Sequence, residues 1–125
     1  MTHKEIIHHW QRGAEQSLRL AELGLKEKTY SLVLFHCSLA VEKALKALYI
    51  EEHDASPPAT HNLHFLAKKL HRSWSKREEN LLEELTEFAV AARYDDPTWA
   101  DTYATKARCA LWCKKTKAIL RTLIP

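Results

Sequence analysis

Apolar residues recur at helical spacing through most of the chain, and no stretch alternates in the two-residue rhythm of a half-buried strand. The longest such run, Tyr30–Ile50, holds neither Gly nor Pro and is long enough for about six helical turns. On a helical wheel Val33, Leu34, Cys37, Ala40, Val41, Ala44, Leu45, Ala47 and Leu48 make one wide apolar face. Ser31, Ser38, Glu42, Lys46 and Tyr49 gather opposite, with His36 and Lys43 on the flank. Leu32, Phe35 and Leu39 add a second apolar stripe beside that polar strip. A helix that is apolar on two stripes is buried on two sides, so the second stripe predicts another partner, either a helix of this chain or a second subunit.

The other helices follow from caps and breaks. Thr2-x-x-Glu5 reads as a capping box, and Ile6, Trp10, Ala14, Ser17, Ala21 and Leu25 carry a first helix to about Lys26. The polar break at 27–29 is short, which predicts an antiparallel neighbour. The central helix ends near Glu52, and the loop HDASPPA at 53–59 forbids its continuation with two prolines. Thr60 reads as the cap of a short third helix with Leu63, Leu66, Ala67 and Leu70 inward. Ser75-x-x-Glu78 opens a fourth, with Leu81, Leu82, Leu85, Phe88, Ala89 and Ala92 inward. After the interruption Arg93-Tyr94-Asp95-Asp96-Pro97, Thr98 and Asp101 are expected to cap one long last helix. Its inner face reads as Tyr103, Ala104, Ala107, Leu111, Ala118 and Leu120. The expected fold is all-α: a single domain over residues 1–125, an up-and-down helical bundle of four long helices plus one short helix.

Composition narrows the chemistry. The central run has membrane-span length, but His36, Glu42, Lys43 and Lys46 lie within it. Each central Lys costs about 2.5–3.5 kcal/mol to insert, so the segment reads as a buried helix of a soluble bundle. The opening MTHKE has no signal-peptide pattern, and the three cysteines do not make a disulfide framework. Both point to a cytoplasmic protein with reduced thiols. The net charge of +3 does not by itself demand nucleic acid. Charge is sorted, however. Residues 60–77 carry five Lys or Arg and no acid, residues 78–87 carry five Glu and no base, and the last helix is basic through its middle. Helix dipoles account for the first two blocks; the third leaves room for a weak anionic partner.

Two glycines in the whole chain exclude Walker and dinucleotide phosphate loops, and no Gly-x-Ser-x-Gly elbow exists. No catalytic residue is assigned. No cofactor or metal is expected either: Cys109-x-x-x-Cys113 has no matching ligand pair, and His8-His9 and His61-x-x-His64 do not complete one. His61 reads as a residue that satisfies loop backbone groups. Any bound phosphate must therefore be held by side chains or a helix N-terminus. The candidates are Lys43 and Lys46, charged on a helix built for burial, and the corner Arg93, Tyr94 and Asp95, where an acid could orient the planar Arg93 fork.

Several of these stretches together resemble the HEPN family (higher eukaryotes and prokaryotes nucleotide-binding domain). They are Trp10 and Ala14 in the leading helix, the run from Phe35 to Ala47 with its Val-Glu-Lys-Ala-Leu-Lys-Ala core, Thr60-His61-Asn62-Leu63 with Leu66, and Ala92-Arg93-Tyr94-Asp95-Asp96. The resemblance runs through nearly the whole chain in order. It implies a helical bundle that pairs as a homodimer and serves as the nucleotide- or substrate-binding subunit of a minimal nucleotidyltransferase. Other branches are ribonucleases of toxin–antitoxin or defence systems, with a His four to six residues after an Arg. Here no His follows Arg93, since His71 is the last in the sequence. The expected function is thus a homodimeric binding module that holds a nucleotide or other anionic ligand through Lys43, Lys46, Arg93, Tyr94 and Asp95. The alternatives are a metal-independent ribonuclease and an assembly subunit without a ligand.

Overall fold

The structure, a computed structural model, describes residues 1–94 and 97–125; the expectation for Asp95 therefore lies outside the described residues. Thr2 accepts a hydrogen bond from the Glu5 backbone N–H at 3.1 Å and starts α1 (His3–Glu27). The helix stops at Lys28, whose left-handed backbone (φ 63°) sends its N–H back to the Gly24 carbonyl. The turn leads at once into α2 (Tyr30–His53), and the two long helices pack antiparallel along their length. Small residues line the buried side of α1: Ala14, Ser17, Ala21 and Gly24. Gly24 is required by the close approach, since a Cβ there would lie 2.9 Å from Cγ2 of Val33.

Helices α3 (Leu63–Lys68), α4 (Lys76–Arg93) and α6 (Lys106–Leu123) complete the bundle around α2, with α5 (Pro97–Thr102) lying between the last two in sequence. The core runs along the predicted face of α2, from Val33 to Ala47, with Leu63, Leu66, Ala67 and Leu70, and with Leu82, Leu85 and Phe88 of α4. Ser75 and Glu78 close the expected capping box in both directions. Fold class and helix phase through α4 match the periodicity of the sequence. No helix of the described residues is long and apolar enough to cross a membrane.

Three details differ. Asn62, not Thr60, caps α3: its side chain accepts from the Phe65 N–H, while Thr60 Oγ1 takes the Asn62 N–H one step earlier. The long last helix is two. Thr105, in extended backbone, accepts from Arg108 N–H and starts α6 afresh, and the Arg108 guanidinium donates to the carbonyls of Thr102 and Tyr103 left over at the break. The inner face of α6 is consequently Cys109, Trp112, Cys113, Thr116, Ile119, Leu120 and Leu123, whereas Ala107, Leu111 and Ala118 face outward. Trp112 decides the phase, because its ring packs edge-on against Phe88 at 4.9 Å, and a large aromatic buries more apolar area than several alanines.

Candidate functional site

The second stripe of α2 is not covered by the bundle. Leu32 is half exposed, and Phe35 and Leu39 are partly so. Ala89 and Ala92 of α4 stand across from them, too small to fill the gap. The result is an apolar-walled groove of about 300 Å³ between α2 and α4.

The polar strip of α2 supplies the floor of this groove, and it is buried. Ser38 is 1% and Glu42 is 5% exposed. A buried carboxylate is tolerable only with partners, and Glu42 has two. Lys46 Nζ donates to Oε2 at 3.1 Å from one turn further along the same helix. His61 Nδ1 lies 2.7 Å from Oε1, and because a carboxylate only accepts, that nitrogen carries the proton. The outer nitrogen of the half-exposed imidazole is thereby left available at the groove, which it also lines. Arg93, exposed at the end of α4, lines the same groove.

The sequence-predicted residues therefore separate. Arg93 meets the groove directly. Lys46 reaches it only through Glu42, and its ammonium faces the other way, 5.7 Å from the Trp10 ring centroid and into a second hollow between the start of α1 and the 54–59 loop. Lys43 is turned to α1, where it donates to Ser17 Oγ at 3.1 Å. Its stem fits because Gly13 has no side chain; a Cβ there would lie 3.1 Å from Lys43 Cδ. Tyr94 caps α4 and is largely exposed. Beside the groove wall, the His36 ring packs against that of Phe35, and its proton affinity is lowered by burial and then by the Lys43 charge.

Ser38, Glu42 and His61 are the groove residues that sequence reasoning did not assign. A signal existed for Glu42, an acid on a burial helix with Lys46 four residues on. For His61 the family-like stretch Thr60-His61-Asn62-Leu63 marked the residue but not its partner, which lies 19 residues back on another element.

The profile of the HEPN domain matches residues 7–123. This chain belongs to the HEPN family. The HEPN chain has a fold similar to that of TT1696 from Thermus thermophilus, whose crystal structure superposes with a TM-score of 0.82 over 94% of both chains at 20% identity. No curated protein matches it. Among the described residues no cluster of three or more His, Cys, Asp or Glu is placed to hold a metal ion.

Proposed function

We propose that this HEPN protein is a homodimeric binding module for a nucleotide, working beside a minimal nucleotidyltransferase. The observation that carries the reading is the groove between α2 and α4: apolar walls wide enough for one base, with the Arg93 guanidinium and the His61 ring at its edge. A guanidinium presents a planar pair of donors to phosphate without any backbone loop, which suits a chain with two glycines, both inside α1. The volume is at the small end for ligand sites, so it suits a mononucleotide and not a dinucleotide. Lys43 turns to α1 and Tyr94 is exposed, so Arg93 carries the phosphate in this reading and Lys46 acts behind it through Glu42.

The exposed apolar residues around the groove support pairing with a second copy. Leu32, Val90 and Tyr94 all stand out to solvent on α2 and at or near the end of α4. Light scattering at micromolar concentration is expected to give a dimer, and Phe35→Glu to split it while Leu111→Glu on α6 leaves it whole. A thermal-shift panel of mononucleotides with and without Mg²⁺ tests the binding itself. Saturation at 100 times the dissociation constant adds about 2.7 kcal/mol of stability, and no shift from any nucleotide rejects the reading.

One observation favours a second reading, a metal-independent ribonuclease: His61 shares the groove with Arg93, which no residue after Arg93 could do for want of a histidine. The distinction is experimental. The binding-module reading expects single-stranded RNA to stay intact; cleavage that survives a chelator and disappears in His61→Ala establishes the ribonuclease instead.

A further inference from the structure

The charge on α6 has no counterpart within the chain. This helix carries six Lys or Arg and no acid, whereas the rest of the chain carries thirteen against sixteen Asp or Glu and is acidic overall. Two of the six cations are engaged locally. The Arg108 guanidinium donates to carbonyls at the break before the helix and lies over the Tyr103 ring, and the Lys115 ammonium lies over Trp112. Lys106, Lys114, Lys117 and Arg121 remain, all exposed, and among the described residues none of the four has an ion-pair partner. Glu22 of α1 is close enough to act on Cys113 at the edge of this helix, yet it pairs with none of them.

At about 100° per residue the four fall within an arc of about 80°, so they form one stripe with only Ala110 among them. From Lys106 to Arg121 the stripe runs about 22 Å along the helix axis. The helix dipole favours Arg121 in the last turn, opposes Lys106 in the first, and does nothing for Lys114 and Lys117 in the middle. Lys114 and Lys117 are like-charged neighbours at i, i+3, and Lys117 and Arg121 at i, i+4, spacings at which like charges destabilise a helix. A stripe that weakens its own helix and meets no counter-charge in the fold points to an anion from outside.

We infer that this stripe is a docking surface for the phosphodiester backbone of a nucleic-acid duplex. Its length spans about six base pairs at about 3.4 Å each. An acidic protein partner would bring an apolar centre to its interface, but Leu111 is the single large apolar side chain exposed on α6. An anionic membrane surface takes apolar residues on the same helix, and the stripe offers only Ala110. Single strands are held by aromatic stacking as well as charge, whereas Trp112, the one aromatic of α6, is buried. Contacts to phosphate alone position a duplex without reading its bases. No residue of α6 lines the groove between α2 and α4, so this surface stands apart from the nucleotide reading above.

Fluorescence anisotropy of the full chain with short labelled DNA and RNA duplexes tests this, and the tighter of the two identifies the source of the backbone. Four phosphate contacts predict an affinity that falls on the order of 100-fold between about 50 and about 200 mM salt, whatever the base sequence. The combined variant Lys106→Gln, Lys114→Gln, Lys117→Gln and Arg121→Gln is expected to lose binding while melting no lower than the parent, because the like-charged neighbours are gone. Lys114→Gln alone is expected to reduce the salt slope by about one. Lys68→Gln on α3, an exposed cation off the stripe, is expected to change neither affinity nor slope. Absence of duplex binding at low salt, or binding that the combined variant retains, overturns the proposal. Equally tight binding of polyglutamate makes the partner an acidic protein instead, and equally tight binding of phosphatidylserine vesicles makes it a membrane. A single strand bound as tightly as the duplex overturns the duplex assignment.

Discussion

Two of the hollows on this bundle, both walled by α4, differ in what lies at the bottom. The crevice between α4 and α6, about 390 Å³, is the roomier. Its floor is Leu81, Trp112 and Ile119, and its charges stand on the rim: Lys115 with its ammonium 4.7 Å from the Trp112 centroid, Glu78 engaged in the α4 capping box. The groove between α2 and α4 reverses that order, with apolar walls and a buried hydroxyl and carboxylate beneath. Of these two, volume alone would choose the crevice, and over the whole bundle the still larger hollow of about 610 Å³ beside the 54–59 loop. A buried polar group costs free energy unless something satisfies it, so polar atoms at the bottom of a hollow carry more information about a ligand than the space above them.

The largest effect that sharpens this contrast belongs to Glu42. Glu42→Ala leaves Lys46, 8% exposed, without its carboxylate, and breaking a buried pair on one side costs about 3–5 kcal/mol. Chemical denaturation should show that loss, while Glu84→Ala in the crevice stays within about 0.5 kcal/mol of the parent. Equal, small effects for both would mean that the floor of the groove is not the buried polar centre described. Next in size is ligand affinity. Arg93→Ala removes a hydrogen bond to a charged group, worth about 1.5–3 kcal/mol and so about tenfold or more in Kd. Lys115→Ala should leave nucleotide binding unchanged, and the reverse outcome moves the site to the crevice.

The smallest effect is a pH slope. Burial and Lys43 hold the folded His36 below its ordinary value of 6.5. As pH falls through that value, the unfolded chain takes up its proton before the folded one does, so folding is progressively disfavoured. Stability is therefore complete above pH 6.5 and declines as pH drops toward the folded value. Melting temperatures between about pH 7.5 and about pH 5 should fall less steeply in His36→Gln; an unchanged slope assigns the acid sensitivity elsewhere.

How far the sequence reaches can be read residue by residue. The core faces of α2, α3 and α4 are plain in it because each repeats Leu, Ala or Val at helical spacing, and the uncovered stripe of Leu32, Phe35 and Leu39 is equally plain as a surplus on α2. The phase of α6 is not. Its buried side mixes Trp112 with Cys109, Cys113 and Thr116, while Leu111 and several alanines compete for the inward position; only the Phe88 ring settles which wins. The groove splits the same way. Arg93 declares itself by charge at a helix end, whereas His61 becomes a groove residue only when the α2–α3 loop brings it to Glu42. Lys46 is engaged, as a cation on a burial helix must be, by Glu42 one turn away, and its ammonium lies against Trp10 and the hollow beside the 54–59 loop.

The three thiols between α2 and α6 give the molecule an internal clock. Cys37 keeps its proton far above the ordinary thiol range, chiefly by donating to Cys113, and burial raises Cys109 to about 11. Cys109 also donates to the Tyr30 carbonyl at 3.4 Å, and all three side chains are buried. Alkylating reagents need both access and thiolate. Cys37 and Cys109, fully buried and with their protons held, therefore label in native buffer only in molecules whose last helix has swung off the central one. Cys113, whose proton affinity the Cys37 contact lowers and which is 7% exposed, is the reference that labels first. When closing is fast, the labelling rate reports the free energy of that opening. The cysteines thus make the seating of α6 on α2 measurable by mass spectrometry without an engineered reporter.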